Sequence, residues 1–280
     1  MSIADRTDVA ELSAQLQDNQ KSRSWYIKSR IMLANRLQAT VACEYGDYKT
    51  ALAEKERIKA FAEAGKIVKQ IVSGEIESPL KRLVMITQTS IDAFEEQKKL
   101  LDKQMKKLAE ELPVADWVEQ PEQRGFGFGM LSVLIGETGD LHNYSNPGKM
   151  WKRMGCAPFT KDGMTLMGAT WRSRSKQKIR MSASDWEDFG YSPKRRSIAY
   201  LVGEGLLKQN GDGPYRERYN VKKAEMQARN TPEEAAKPSK DRPYTDQRCH
   251  RHGMLLATKM LMKNLWIEWT GATGDEWTKV

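Results

Sequence analysis

A heptad-like stripe between Pro79 and Pro113 constrains the fold of this 280-residue chain more than any other feature. Its members follow one another at alternating steps of four and three residues. The stripe consists of Leu80, Val84, Thr87, Ile91, Phe94, Lys98, Leu101, Met105, Leu108 and Leu112. This period places the whole set on one helix face, which then needs an apolar partner along its length. We predict a coiled-coil arm, either self-paired or packed on the preceding helices; a plain three-helix bundle is the alternative.

Helix signals divide the N-terminal part of the chain. Residues 1–20 form a polar lead, and helical patterns follow over 21–44 and 49–72, separated near Gly46. Ser73-Gly74 ends the second helix, and Pro79 suits the first turn of the third, which Pro113 stops. We therefore predict a helical and coiled-coil region over residues 21–112.

The remaining chain, 113–280, is predicted to form a second, mainly helical domain. Patches that favour strands flank a basic centre at residues 172–176, so a small basic β-hairpin and an ordered loop both remain open. Ser192 and Pro193 mark a helix start, and residues 230–243 form a charged linker that we predict to be mobile. A last helix is expected over 247–269. The predicted fold class is mainly α.

Residues 124–140 contain a glycine turn suited to phosphate binding. Gly125, Phe126 and Gly127 open directly onto a helical run at 130–135. Glycines let the backbone approach a ligand closely, and the first amides of a helix favour anions. This pattern predicts a helix-hairpin-helix that grips a nucleic-acid phosphate without reading its sequence.

The charge of the chain favours a polyanionic partner. There are 46 Lys and Arg against 37 Asp and Glu, a net charge of +9, and basic residues cluster between positions 172 and 196. Clustered cations are the electrostatic footprint of a phosphate-binding surface. The predicted nucleic-acid-binding residues are Gly125, Gly127, Lys149, Lys152, Arg153, Arg172, Arg174, Lys176, Lys178, Lys194, Arg195 and Arg196.

Several function classes are disfavoured. No apolar run is long enough for a membrane span and the first residues lack a secretory core, so we expect a cytoplasmic protein without membrane contact. The three cysteines, Cys43, Cys156 and Cys249, are expected to be reduced thiols. Cys249 lies beside His250 and His252, but this spacing on one helix does not surround a metal ion. No cofactor is predicted. A divalent metal ion would be expected only if the chain contained a nuclease site that its sequence does not reveal.

Catalytic candidates are few. Ser173 and Ser175 are embedded among arginines, which could activate a hydroxyl or simply hold a phosphodiester. The acidic residues of the first helices lie on polar helix faces rather than at the ends of strands. A binding surface therefore requires fewer precisely placed groups than a catalytic site, and the sequence favours binding.

The order of these features resembles the C-terminal transposase domain of the DEDD-type, bridge-RNA-guided insertion-sequence transposases. The resemblance rests on Arg124-Gly125-Phe126-Gly127, Glu137-Thr138-Gly139-Asp140, Tyr144-Ser145-Asn146-Pro147 with Lys149, Gly155-Cys156-Ala157-Pro158, Ser192-Pro193-Lys194-Arg195-Arg196 and the series Tyr215-Arg216, Arg248, Ala257 and Lys259. It spans about half of the chain, and its ordered set of motifs carries it rather than any single one. It implies a helical nucleic-acid-binding and assembly scaffold.

The chain also departs from this family. The family's ribonuclease-H-like domain, with its four acidic residues, is not recognisable in this sequence. Asp162 stands where the family's nucleophilic serine is expected. Asp162, Ser173 and Ser175 are thus weak catalytic candidates, and strand cleavage is left undecided.

These patterns together predict a transposase-like protein of DNA recombination, transposition or mobile-element biology, with DNA as its first expected partner and structured RNA as its second. The coiled coil predicts a homo-oligomer. One alternative is an active recombinase that uses Ser173 or Ser175. Another is a structural or assembly protein without specific nucleic-acid binding.

Overall fold

The computed structural model describes residues 3–45, 54–161, 164–166, 190–209 and 212–272, and it is mainly helical. The helices of the first half are α1 (Ile3–Tyr45), α2 (Glu54–Ser73), α3 (Lys81–Glu110), α4 (Ala115–Val118), α5 (Phe128–Thr138) and α6 (Pro147–Arg153). Those of the second half are α7 (Pro193–Gln209), α8 (Pro214–Gln227), α9 (Pro232–Ala235) and α10 (Asp246–Thr270). Single 3-10 turns lie at Pro121–Gln123, Leu141–Asn143 and Ser239–Asp241. Within the described ranges, no helix has a stretch long and apolar enough to cross a membrane.

The chain divides into two compact units. Unit 1 comprises Met1–Asp18 together with Met105–Val280, and unit 2 comprises Asn19–Gln104. The expected polar lead is the first part of α1, and its Val9 and Leu16 are buried in the core of unit 1. These two residues share a helix face with Ser13, so the polar composition of the segment concealed a narrow apolar stripe.

In unit 2, α3 lies antiparallel to α1. The guanidinium of Arg23 pairs with Asp102, and Arg30 Nε lies 3.4 Å from Glu95 Oε2. The ring of Phe94 lies 5.6 Å from that of Trp25. Helix α2 contributes to the same core, which contains Leu37, Val41, Ala42, Ala64, Val68, Ile71 and Val84. The predicted stripe on α3 therefore packs on the preceding helices, which fits both a coiled-coil arm packed on them and a plain three-helix bundle, and the coiled coil stays a prediction.

The residues of the α3 stripe are divided between two hydrophobic cores. Val84 is buried in unit 2, whereas Met105 and Leu112 are buried in unit 1. Between them, Ile91 and Leu101 are half-buried.

Unit 1 is organised around α10. Glycines allow two helices to approach it closely: a Cβ on Gly203 of α7 would lie 2.5 Å from Thr258 Oγ1, and one on Gly253 would lie 2.7 Å from Tyr219 Cδ2 of α8. The indole Nε1 of Trp266, near the end of α10, donates to the carbonyl of Tyr144 at 2.9 Å. Helix α10 thereby connects segments that are distant in sequence.

The remaining predictions for this region have mixed outcomes. A two-stranded antiparallel hairpin is formed by β1 (Phe159–Lys161) and β2 (Met164–Leu166). The basic centre at 172–176 lies outside the described residues, so the hairpin predicted around it stays a prediction. Residues 230–243 contain α9, capped by Thr231, and the 3-10 turn Ser239–Asp241. The mobility of that segment stays a prediction.

Candidate nucleic-acid interface

The glycine turn presents the start of α5 at the surface. Gly127 is the N-cap, with φ −96° and ψ 178°, and its carbonyl accepts from the amides of Met130 and Leu131. A Cβ on Gly127 or Gly129 would meet no atom within 4 Å. The first amides of α5 are thus open to an approaching anion, and the helix dipole favours one there.

Gly125 has a different role from the one predicted. Its φ is +96°, and an added Cβ would lie 2.5 Å from the carbonyl oxygen of Gly205 in α7. The approach is mutual, because a Cβ on Gly205 would lie 2.6 Å from the carbonyl oxygen of Gly125. Gly125 is half-buried in this backbone crossing, so of the two predicted glycines Gly127 is the exposed one.

The basic residues of α6 lie where the sequence predicts them. Asn146 caps the helix through its side chain, which accepts from the amide of Lys149, and Pro147 begins it. Met150 is buried toward the core, whereas Lys149, Lys152 and Arg153 are exposed. The polar face of α6 is therefore a short cationic surface.

The cations at the start of α7 are largely engaged by other groups. Lys194 Nζ contacts Glu137 Oε1, and Arg195 Nε lies 3.3 Å from Glu137 Oε2. The side chain of Glu137 is only 7% exposed. This pairing leaves no local signal in the sequence, because Glu137 belongs to another helix and is 57 residues from Lys194.

Positive charge nevertheless exceeds negative charge around Arg195. Burial and the neighbouring Arg153 hold the pKa of Arg195 below its usual range, although Glu137 acts in the opposite direction. Burial also raises the pKa of Tyr144, whose hydroxyl donates to the carbonyl of Thr138 at 2.7 Å. The phenol thus remains neutral and does not offset these guanidinium groups.

A further cation joins this region from α10. Lys259 Nζ lies 5.1 Å from the centre of the Trp151 ring, and Trp151 Nε1 donates to the Lys259 carbonyl at 3.1 Å. Burial, and secondarily Arg196, lower the pKa of Lys259. Arg196 itself donates to Sγ of the buried Cys156 at 3.2 Å. Cys156 is uncharged at neutral pH, because burial raises the pKa of its thiol.

We call Arg153, Arg195, Arg196 and Lys259 the basic cluster. They come from α6, α7 and α10: Arg195 lies near Arg153 and Glu137, and Lys259 lies near Arg196. Lys259 was not among the predicted binding residues, because nothing in the sequence links position 259 to positions 153–196. Arg195 and Gly205 are ten residues apart on α7, so the cluster and the glycine turn are separated by about 15 Å along that helix.

Other motif residues have structural roles. Asp140 Oδ1 accepts from the amide of His142 at 3.0 Å and from Trp269 Nε1 at 3.0 Å. The ring Nδ1 of His142 also lies 2.9 Å from that oxygen. These bonds attach the end of α5 to α10.

Some predicted residues cannot be placed. Arg172, Arg174, Lys176, Lys178, Asp162, Ser173 and Ser175 lie outside the described residues. In the part of the chain that the structure describes, no group of three or more His, Cys, Asp or Glu side chains could hold a metal ion. Cys43, Cys156 and Cys249 are free thiols.

Comparison of the chain with protein-family models, with curated proteins and with solved structures finds no match.

Proposed function

We propose that this chain binds the phosphate backbone of a nucleic acid through the basic cluster and the open start of α5. The observation that carries the proposal is that Arg153 of α6 lies near Arg195 of α7, and that Lys259 of α10 lies near the adjacent Arg196. Like charges that are partly removed from water raise the free energy of the free protein. A phosphodiester would lower it, and duplex DNA is the first expected ligand, with structured RNA the second.

The arrangement around α5 supports the same proposal. The short helix α4 and the turn at Pro121–Gln123 precede α5 in the chain, an order that is compatible with the proposed helix-hairpin-helix. The open amides after Gly127 would take one phosphate, and the basic cluster would take another about 15 Å away. Contacts of this kind position a protein on a backbone without selecting a sequence.

The resemblance to insertion-sequence transposases supports a role in recombination or transposition. Under this proposal unit 1 is a transposase-like scaffold that binds DNA. Cleavage by Ser173 or Ser175 would make the chain an active recombinase, and it predicts a covalent protein–DNA adduct that is lost in Ser173→Ala or Ser175→Ala.

The first experiment measures binding of labelled duplex DNA, a four-way junction and a structured RNA across a salt series. The variant Lys149→Gln/Arg153→Gln removes two exposed cations from α6, and Lys103→Gln/Lys107→Gln removes two exposed cations from α3 as the matched control. We expect the wild-type logarithmic salt slope to be steep and to fall by about 1.8 in the α6 variant. An equal effect of both variants would show that only net charge matters, and absent binding at low salt would refute the proposal.

The start of α5 is tested separately. Gly129 has open space around it, so Gly129→Glu and Gly129→Gln introduce side chains of the same size without internal clashes. We expect Glu to weaken binding several-fold more than Gln, because it adds negative charge where the phosphate would lie. Equal affinities of the two variants would remove α5 from the interface.

A second candidate function, assembly, is favoured by exposed apolar side chains in unit 2. Trp25, Ile86 and Leu100 are 57%, 58% and 57% exposed. Large apolar side chains at the surface of one unit would be covered in an assembly, so we take these residues as the basis for the expected homo-oligomer. Light scattering of the full chain should give a mass above 32.0 kDa. The variant Ile86→Lys/Leu100→Lys should return it to the monomer mass, and a monomeric wild type would contradict this candidate.

A further inference from the structure

A second group of cations lies where the end of α8 meets the start of α10. The guanidinium carbons of Arg248 and Arg229 lie 4.7 and 5.8 Å from the centre of the same ring, that of Tyr244. Arg248 Nη1 also donates to the carbonyl of Pro243 at 3.0 Å. Two cations are therefore held next to each other on one aromatic side chain.

The backbone beneath these cations is closed by reciprocal hydrogen bonds. The side-chain amide of Asn230 donates to the carbonyl of Tyr244 at 3.1 Å, and the Tyr244 amide donates back to Asn230 Oδ1 at 3.1 Å. Thr245 then caps α10 by accepting from the amide of Arg248 at 3.1 Å. Tyr244 and Arg248 are thus positioned before any ligand arrives, which lowers the entropic cost of binding.

His252 lies in the midst of positive charge. It is half-buried, and the charged groups that act on it are Arg248, Lys222 and Arg229. Desolvation by burial, together with these three cations, holds its pKa below the usual range. We call Arg229, Tyr244, Arg248 and His252 the Tyr244 cluster.

The carboxylates near this cluster do not balance it. Glu225 pairs with Lys222 at 2.6 Å, and Asp246 accepts from Gln227 at 3.4 Å. Both carboxyls are solvated, and neighbouring hydrogen bonds and cations hold their pKa values below the usual range. The nearby cations Arg229, Arg248, Lys222 and Arg242 outnumber these two carboxylates.

Helix α10 aligns the Tyr244 cluster with the basic cluster. Arg248, His252 and Lys259 are separated by four and seven residues, so they share one face of this helix. The eleven residues from Arg248 to Lys259 span about 16 Å. The rise of B-DNA is about 3.4 Å per nucleotide in each strand, so this distance corresponds to about five nucleotides.

We propose that the Tyr244 cluster is a second phosphate-binding site, and that a nucleic-acid backbone held at the basic cluster continues along α10 to reach it. This inference rests on the proposed function and adds the direction of the strand. Two anion sites at this spacing fit a polymer of regularly spaced phosphates. Arginines stacked on an aromatic ring remain available to donate hydrogen bonds from their edges to phosphate oxygens.

The test uses a labelled 24-base-pair duplex and the full chain. Arg229→Gln/Arg248→Gln removes two exposed cations and should lower the logarithmic salt slope by about 1.8, with a loss of affinity of at least tenfold at low salt. Arg229→Lys/Arg248→Lys keeps the charge and should restore most of the slope. Lys103→Gln/Lys107→Gln is the control with the same change in net charge, and circular dichroism checks that each variant folds.

The outcomes separate this inference from the proposed function. If the wild-type salt slope is steep and Arg229→Gln/Arg248→Gln lowers it no more than the control variant does, the inference is overturned but the proposed function is not. A slope lowered by this pair but not by Lys149→Gln/Arg153→Gln would support the Tyr244 cluster and exclude the α6 surface. Absent wild-type binding at low salt would overturn both.

Discussion

Gly125 and Gly205 lie so close together that a methyl group added at Gly125 should lower the free energy of unfolding. An alanine at position 125 would need a backbone with φ +96° and would place its Cβ 2.5 Å from the Gly205 oxygen. We expect Gly125→Ala to lower the free energy of unfolding by about 3 kcal/mol. Gly127→Ala, where φ is −96° and space is open, should cost less than about 1 kcal/mol. Urea denaturation of both variants measures this, and equal losses would contradict the close crossing.

Under the proposed function, Glu137 should oppose nucleic-acid binding while it stabilises the fold. Its buried carboxylate holds Lys194 and Arg195, so Glu137→Gln should lower the free energy of unfolding by about 2 kcal/mol. The same change releases both cations and should tighten DNA binding several-fold at low salt. The exposed Glu111→Gln serves as the control for net charge. An equal gain in DNA affinity in Glu137→Gln and Glu111→Gln would show that Lys194 and Arg195 do not contact the ligand.

His252 predicts a specific pH dependence of stability. Its pKa in the folded chain lies below 6.5, the usual value, because of burial and because Arg248, Lys222 and Arg229 surround it. The unfolded chain therefore takes up a proton at His252 before the folded chain does, and stability falls as the pH drops below about 6.5 until the folded pKa is reached. Denaturation at pH 7.5 and 5.5 should show a smaller loss for His252→Gln than for the wild type. A larger loss of stability in His252→Gln than in the wild type would contradict a lowered pKa of His252.

At the scale of elements, the pairing of α1 with α3 is tested through Arg23 and Asp102. The two side chains are 21% and 37% exposed, so their ion pair should contribute about 1 kcal/mol. Arg23→Asp and Asp102→Arg should each destabilise unit 2, and the double reversal should recover most of the loss. Losses that simply add in the double variant would indicate that the two residues are not in contact.

Helix boundaries were predicted well where short-range chemistry sets them. Pro79 and Pro113 enclose α3, and Ser192 with Pro193 begins α7 as expected. Each signal acts within one turn of helix, so it is legible in the sequence. The heptad stripe likewise predicted the inner face of α3. The start of α1 was missed, because Val9 and Leu16 are few among polar neighbours.

At the scale of the whole molecule, a polyanion should stabilise the fold. A ligand that binds only the folded chain adds about 2.7 kcal/mol at one hundred times its dissociation constant. Thermal unfolding at low salt with a 24-base-pair duplex should therefore shift upward by several degrees, and Lys149→Gln/Arg153→Gln should show a smaller shift. An upward shift of the same size in both would place the ligand elsewhere.

Periodicity, caps and charge act over a few neighbouring residues, so the helical class, most helix boundaries and the exposed cations of α6 can be read from the sequence. Which charged groups are paired depends on tertiary packing. It places Glu137 against Lys194 and Arg195, brings Lys259 from α10 to Arg196, and fixes Gly125 against Gly205. These partners are far apart in the chain: Glu137 is 57 residues from Lys194, Arg196 is 63 residues from Lys259, and Gly125 is 80 residues from Gly205. Contacts over such separations depend on how whole helices pack, and no local pattern of residues encodes them.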